Sequence, residues 1–367
     1  MASFDVMSFL AMVIVQVGFT GMSFISKLAM DDGINPFVLI AYRQIIATVA
    51  ITPFALFLER KTRPKITVPI LFYIFLSSIT GASVNQVFFF MGLNNSSPMI
   101  AGAMTNTLPV LTFVFALIFK QESFGIKTKT GQAKVIGTVL CVGGAMLLSF
   151  YHGHTIADSS SGIRWNYAEK MTDKRSTYKS HSILGPFLLF CSACSCALWF
   201  IIQGKLSPKF PAPYTATMLM CLMASVECSI IGAATKCNVA DWSLRSKIRL
   251  IAVFYVGIVC SALAFCIMSW CVHRKGPLYT SIFSPLLLVM STILSWALLR
   301  EKLYIGTLVG TVLIIVGLYS VLWGKGKEAE EARIADEMEA AGKYREKEDS
   351  ELQLRPHVND ESQRDTN

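Results

Sequence analysis

Two ionisable side chains stand deep inside long apolar runs, Arg43 in "FVLIAYRQIIATVAI" and Glu227 in "MLMCLMASVECSIIGAA". A guanidinium carries five N–H donors in a fork that fits a carboxylate. A carboxylate either accepts from an ammonium group or takes up a proton. Charge is costly in hydrocarbon, so an ionisable group there is a functional hypothesis by default. On sequence alone several roles stay open. The two could pair with each other, or bracket a zwitterion with Arg43 on its carboxylate and Glu227 on its ammonium group. Either could serve a proton relay, and Arg43 could snorkel outward.

The surrounding chain explains why these two stand out. Its 367 residues are 53% hydrophobic and only 16% charged, against roughly 25% charged in an average soluble domain, which excludes a water-soluble enzyme. Residues 324–367 hold eight Lys/Arg and thirteen Asp/Glu, net −5, while residues 1–323 are net +14. The body is thus apolar and basic, and the tail acidic. Its Lys and Arg cluster between apolar runs, as in membrane loops, so the basic balance does not point to nucleic acid.

A helix needs about 20 apolar residues to cross the bilayer. Ten segments qualify: 8–28, 36–58, 69–92, 98–119, 131–151, 183–203, 212–235, 250–272, 277–299 and 304–323. None shows the period-2 alternation of an outer-membrane strand. The expected fold is therefore an all-α polytopic membrane protein. The first segment has neither a basic leader nor a small-residue cleavage site and is read as a retained span. Nine of ten cysteines fall in or beside these helices, where Cys packs as a small hydrophobe. Cys191, Cys194 and Cys196 lack a shared face and a His, so no metal or other cofactor is expected. The five His form no metal box, which argues against a membrane-embedded enzyme.

Basic residues orient the first half. Arg60, Arg63, Lys65, Lys120, Lys129 and Lys134 follow even-numbered spans, while the odd-numbered loops hold little more than Lys27. Both termini are accordingly expected in the cytoplasm. The second half, with Lys236, Arg245, Lys247 and Arg249 in a loop expected outside, does not repeat the pattern.

The chain also repeats itself. A shift of 179 lays Pro98 on Pro277, Thr105 on Ser284 and Glu122 on Glu301; a shift of 173 lays "GTVL" from Gly137 on "GTVL" from Gly310, and Gly144 on Gly317. Two five-helix units follow, at residues 1–151 and 183–323, separated by a loop at 152–182 and trailed by a disordered cytoplasmic tail at 324–367. Five is odd, so the second unit enters the membrane inverted. Inverted repeats place a transport site near the midplane between the halves, and interrupted spans at matching positions point to it. Pro109 and Pro285 interrupt the fourth and ninth spans. Thr105, Asn106 and Pro109 share one helix face, and so do Ser281, Ser284 and Pro285. Gln16, Asn85, Gln86 and Trp270 are further candidates to line a substrate path. Each could equally join helices.

The blocks "NPFVLIAYRQIIATVAITPFALFLERKTRPK", "GLNNSSPMIAGAMTNTLPVLTFVFALIFKQE" and "GLYSVLWGKGKE" closely resemble the plant nodulin-21-like proteins of the drug/metabolite transporter superfamily, which have two EamA-type domains. The resemblance covers residues 8–328. It implies ten helices, a plant source and an amino-acid exporter or bidirectional facilitator of the plasma membrane, with the vacuolar membrane as the alternative. A carrier of auxin or another organic anion is the alternative function, and a non-transporting membrane scaffold the alternative class. The implied partners are a small-molecule substrate, an amino acid or related metabolite, and the bilayer. The number of subunits is left open.

Overall fold

The computed structural model describes residues 6–60, 63–95, 104–122, 128–151, 155–157, 183–234, 242, 244, 246–299 and 303–353. The first and second spans are continuous helices, Val6–Asp31 and Pro36–Leu58. A positive-φ glycine, Gly33, turns the chain between them, and Asn35 caps the second helix by accepting from Phe37 N at 3.0 Å. The third span begins as Val68–Ser77, widens into a π-helical segment at Ser78–Ser83 and resumes as Val84–Asn94. The fifth is Lys129–Phe150, the sixth Leu184–Lys209 and the seventh Pro213–Ala234. The eighth repeats the form of the third, with a π-helical segment Val256–Leu263 between Lys247–Tyr255 and Ala264–Lys275.

Pro109 and Pro285 do more than kink their spans. Residues 106–107 and 282–283 are turns, and each proline then stands second in a new helix, Leu108–Ile118 in the fourth span and Ser284–Leu299 in the ninth. Proline fits there because a first-turn residue needs no intrahelical donor. The ninth span opens with a separate short helix, Pro277–Ser281. Nine helices among the described residues are long and apolar enough to cross a membrane, and Leu108–Ile118 is a shorter apolar one; residues 96–103, expected in the same span, lie outside the described set. A two-rung antiparallel pairing of Thr155–Ala157 with Leu303–Tyr304 is the one departure from helix among the described elements.

Contacts between the ends fix the inversion. Ser8, in the first span, accepts from Cys271 near the end of the eighth. On the same face, Glu59 at the end of the second span accepts from Tyr214 N and Thr215 N, 2.9 and 2.7 Å, at the start of the seventh. The sixth span starts on the opposite face, where a Cβ on Gly92 at the end of the third would lie 3.1 Å from the Gly185 carbonyl. Asp32 and Arg249 pair on that opposite face at 3.1 Å. The two units therefore enter the bundle from opposite sides.

The fifth and tenth spans form the largest interface, and its glycines reveal a local two-fold axis. A Cβ on Gly137 would lie 2.7 Å from the Gly317 carbonyl, and one on Gly144 would lie 2.8 Å from the Gly310 carbonyl. In the repeat Gly137 is equivalent to Gly310 and Gly144 to Gly317, so each contact is the image of the other. Cys141, which donates to the Ile314 carbonyl at 3.3 Å, touches its own equivalent on the axis. Small residues let the backbones meet, which is how helices associate without a hydrophobic drive.

Two expectations are corrected. Lys134, counted above as a loop cation, is 2% exposed and lies 3.2 Å from Glu122 and 3.0 Å from Glu328; Lys325 also pairs with Glu122. Four charges thus tie the fourth, fifth and tenth spans on one face. The tail expected to be disordered from residue 324 continues the tenth span as one helix, Ile305–Gln353. The membrane span has already met the cost of nucleation, and pairs such as Lys343 with Glu339, 2.7 Å, support its propagation.

Candidate functional site

Arg43 and Glu227 do not pair. Each instead crosses to the other repeat and lands on a π-helical segment. Arg43 lies seven residues in from the start of the second span and Glu227 seven short of the end of the seventh, ends that share one face of the bundle, so the two enter at similar depth. Arg43 Nε donates to Ser261 Oγ at 2.5 Å and Nη2 to the Cys260 carbonyl at 3.1 Å. Its guanidinium stands 5.9 Å from the Phe265 ring, and Phe265 packs against Trp199 with centroids 5.4 Å apart. Gly257 permits this approach, since a Cβ there would lie 2.7 Å from Ile46 and 3.2 Å from the Arg43 carbonyl. Arg43 is 3% exposed and has no carboxylate partner among the described residues.

Glu227 faces two hydroxyls of the third span, with Ser78 Oγ 2.7 Å from Oε1 and Ser83 Oγ 2.5 Å from Oε2. Residues five apart stand about 140° apart around an α-helix. The i→i+5 turn of a π-helix brings them toward one face. The widened segment therefore makes the two-serine cradle.

These partners, Ser78, Ser83, Cys260 and Ser261, were missed because α-helical spacing scatters them. The available signal was the concentration of small residues in "SSITGAS" and "CSALA", which lie in the third and eighth spans, the matching spans of the two repeats.

The other candidates separate into groups. Asn85 is interhelical glue: its Nδ2 donates to the Ser192 carbonyl at 3.1 Å and Ser192 Oγ returns a bond to the Asn85 carbonyl at 2.9 Å. Gln86 beside it is half-buried. Gln16 is buried in the first span, where its carbonyl accepts from Thr20 Oγ1 at 2.8 Å. Trp270 sits near the end of the eighth span with the Arg274 guanidinium 5.0 Å from its ring. The two interrupted spans do meet, Pro277–Ser281 packing on Leu108–Ile118. At the first break Thr105 is half-buried and Asn106 is 2% exposed, with an Nδ2 that has no hydrogen-bond partner among the described residues. Pro109 and Pro285 are buried, Ser284 is half-buried, and Ser281 Oγ donates to the Leu278 carbonyl at 3.1 Å. Asn106, Ser281 and Ser284 form no hydrogen bond to Arg43 or Glu227.

A bundle of two inverted five-helix units, with charged side chains exchanged across the seam and broken spans beside it, defines a transporter-type membrane protein. The sequence profile of the EamA-like transporter family matches residues 6–150 and 183–323, and the chain belongs to that family. Three WAT1-related proteins of Arabidopsis thaliana are similar. One is 35% identical over 87% of both chains. A second is 36% identical over 87% of this chain and 85% of its own, and a third 36% over 87% and 89%. A solved crystal structure with 16% identity covers 85% of this chain and 95% of its own at a TM-score of 0.62, a likeness of fold alone. The protein is a multi-pass membrane transporter.

Proposed function

We propose that the protein is an exporter or bidirectional facilitator of amino acids or closely related small polar metabolites, working by alternating access, with Arg43 as the subsite for the substrate carboxylate. The observation that carries this is the state of Arg43. Among the described residues two of its five N–H groups are engaged, both by neutral acceptors, and three remain to receive an anion. A bidentate carboxylate would balance the charge and fill the fork. Asn106, with its unpartnered amide, and the breaks at Pro109 and Pro285 supply polar lining and hinges. Thr105, Ser281, Ser284, Gln16 and Gln86 are secondary lining positions.

The face bearing Arg60, Arg63, Lys65, Lys205, Lys209, Arg274 and Lys275 is the cytoplasmic one on the positive-inside rule. On this reading both termini are inside, and the membrane is the plasma membrane or, as the alternative, the vacuolar membrane. Because Glu227 is engaged by serines, a substrate with no ammonium group is the second reading, an organic monoanion such as auxin.

The test is counterflow in proteoliposomes, with labelled amino acids and auxin as the panel. Saturable, counter-substrate-stimulated uptake of an amino acid supports the proposal. Selective auxin uptake moves the assignment to organic anions, unsaturable flux indicates a channel, and no flux for the whole panel favours a scaffold.

A further inference from the structure

The hydrogens around Glu227 can be counted. Ser78 Oγ lies 2.7 Å from Glu227 Oε1 and 2.8 Å from the Phe75 carbonyl, yet a hydroxyl has one hydrogen to donate. Ser83 accepts from Cys228 Sγ at 3.5 Å, which leaves its own hydrogen for Glu227 Oε2. If Glu227 is ionised, one contact of Ser78 goes without a hydrogen. A proton on Oε1 supplies it. The bonds then run one way, from Cys228 S–H to Ser83, from Ser83 O–H to Glu227 Oε2, from Glu227 O–H to Ser78, and from Ser78 O–H to Phe75 C=O.

The charged surroundings agree. The third span carries one titratable side chain, Tyr73, stacked under Lys209 at 4.8 Å. The second contributes Tyr42, which donates to the Trp242 carbonyl at 2.8 Å, and Arg43, held by the eighth span. Glu59 caps the far end of the seventh. The eighth adds Cys260 and Cys266, and the seventh itself Cys221 and Cys228. None of them forms an ion pair with Glu227. An ionised carboxylate inside a membrane with no cation paired to it is disfavoured, whereas a neutral acid is not.

We infer that Glu227, cradled by Ser78 and Ser83, is a proton-binding site that couples transport to a proton gradient. In each cycle the carboxylate gains a proton from one side of the membrane, becoming the neutral acid of the relay, and loses it to the other. The cradle spans both repeats, so their relative rocking opens it. The coupling to flux rests on the carrier reading, but the proton site can be read without it.

Infrared difference spectroscopy on the full-length protein in lipid, recorded across a pH titration without substrate, is the direct test. A protonated-carboxyl C=O band is expected in the wild type, absent in Glu227→Gln and moved to higher wavenumber in Ser78→Ala, where the acid loses its acceptor. Glu227→Gln is accepted as folded only if it melts as a single monodisperse species. In proteoliposomes with an internal pH dye, protons carried per substrate should fall to background in Glu227→Gln, whatever its turnover. An unchanged band in Glu227→Gln, or an unchanged proton-to-substrate ratio, overturns the inference, and so does a sodium gradient replacing the proton gradient as the drive. Absence of counterflow in the wild type overturns the carrier reading alone, because the band is read without substrate.

Discussion

The Arg43 and Glu227 sites are two versions of one architectural position, a charged residue from the second helix of one repeat set against the π-helical segment in the third helix of the other. They differ in what is left over. Glu227 has both oxygens engaged by Ser78 and Ser83, while Arg43 meets one hydroxyl and one carbonyl and keeps three donors without a partner among the described residues. The inverted repeat thus supplies the frame twice. On the proposed readings, side-chain chemistry then divides the roles, a cation kept open for an anion and an acid closed around a proton.

The severest way to break this comparison is to exchange the two charges. If Arg43 and Glu227 served as one ion pair, the double variant Arg43→Glu with Glu227→Arg would recover transport. The structure predicts no recovery, because the two side chains serve separate sites: a carboxylate at 43 loses the donor fork and meets the Cys260 carbonyl, and a guanidinium at 227 loses the acid between Ser78 and Ser83. Saturable counterflow should be undetectable in both single variants and in the double; recovery in the double would restore the ion-pair reading.

A smaller change sharpens the Arg43 side alone. Lysine keeps the charge but cannot hold Ser261 and Cys260 while presenting a fork. Losing a charge-assisted hydrogen bond of up to about 3 kcal/mol corresponds to a fall on the order of 100-fold in kcat/KM. Arg43→Lys should show that fall for carboxylate substrates in concentration-dependent uptake. An undiminished kcat/KM would mean that Arg43 holds helices rather than substrate.

How far the sequence foretold this follows from which interactions obey helical spacing. Arg43 and Glu227 were legible because charge in an apolar run is rare, and the inversion because glycine and proline landmarks recur in order. Their partners were not, since Ser78 and Ser83 share a face only after the helix widens into a π turn, and periodicity assumes it does not. Asn85 could be named as polar but not assigned, because the reciprocal bond to Ser192 depends on helix rotation. Lys134 was misplaced for a similar reason. Its burial depends on Glu122 and Glu328 arriving from two other spans.

The two-fold relation itself can be tested at the fifth and tenth spans. A Cβ at Gly137 would lie 2.7 Å from the Gly317 carbonyl, so the helices must separate. Overpacking of this kind costs about 1–3 kcal/mol. Gly137→Ala should lower thermal stability by that order, and Gly317→Ala likewise. Because both substitutions enter one contact, the double variant should depart from additivity by about 0.5 kcal/mol or more. Gly137→Ala with Gly144→Ala, one in each of the two symmetry-related contacts, should be closer to additive. Equal additivity in the two pairs would remove the two-fold contact.

The smallest effect distinguishes the two ends of the longest helix. Its membrane half is fixed by packing against the fifth span. Beyond it the extension carries exposed Met338 and the exposed Lys343–Glu339 pair, and an i,i+4 pair contributes only about 0.3–0.5 kcal/mol. If the extension is helical because the span nucleates it, amide exchange in the full-length protein should quicken steadily from Glu328 toward Gln353. Glu339→Ala should accelerate exchange in its neighbourhood by about twofold, the factor that corresponds to such an energy, without changing flux. A separate peptide of residues 324–353 should show little helix by circular dichroism. A strongly helical peptide, or uniform protection along the extension, would mean that the tail folds on its own account rather than as an outgrowth of the tenth span.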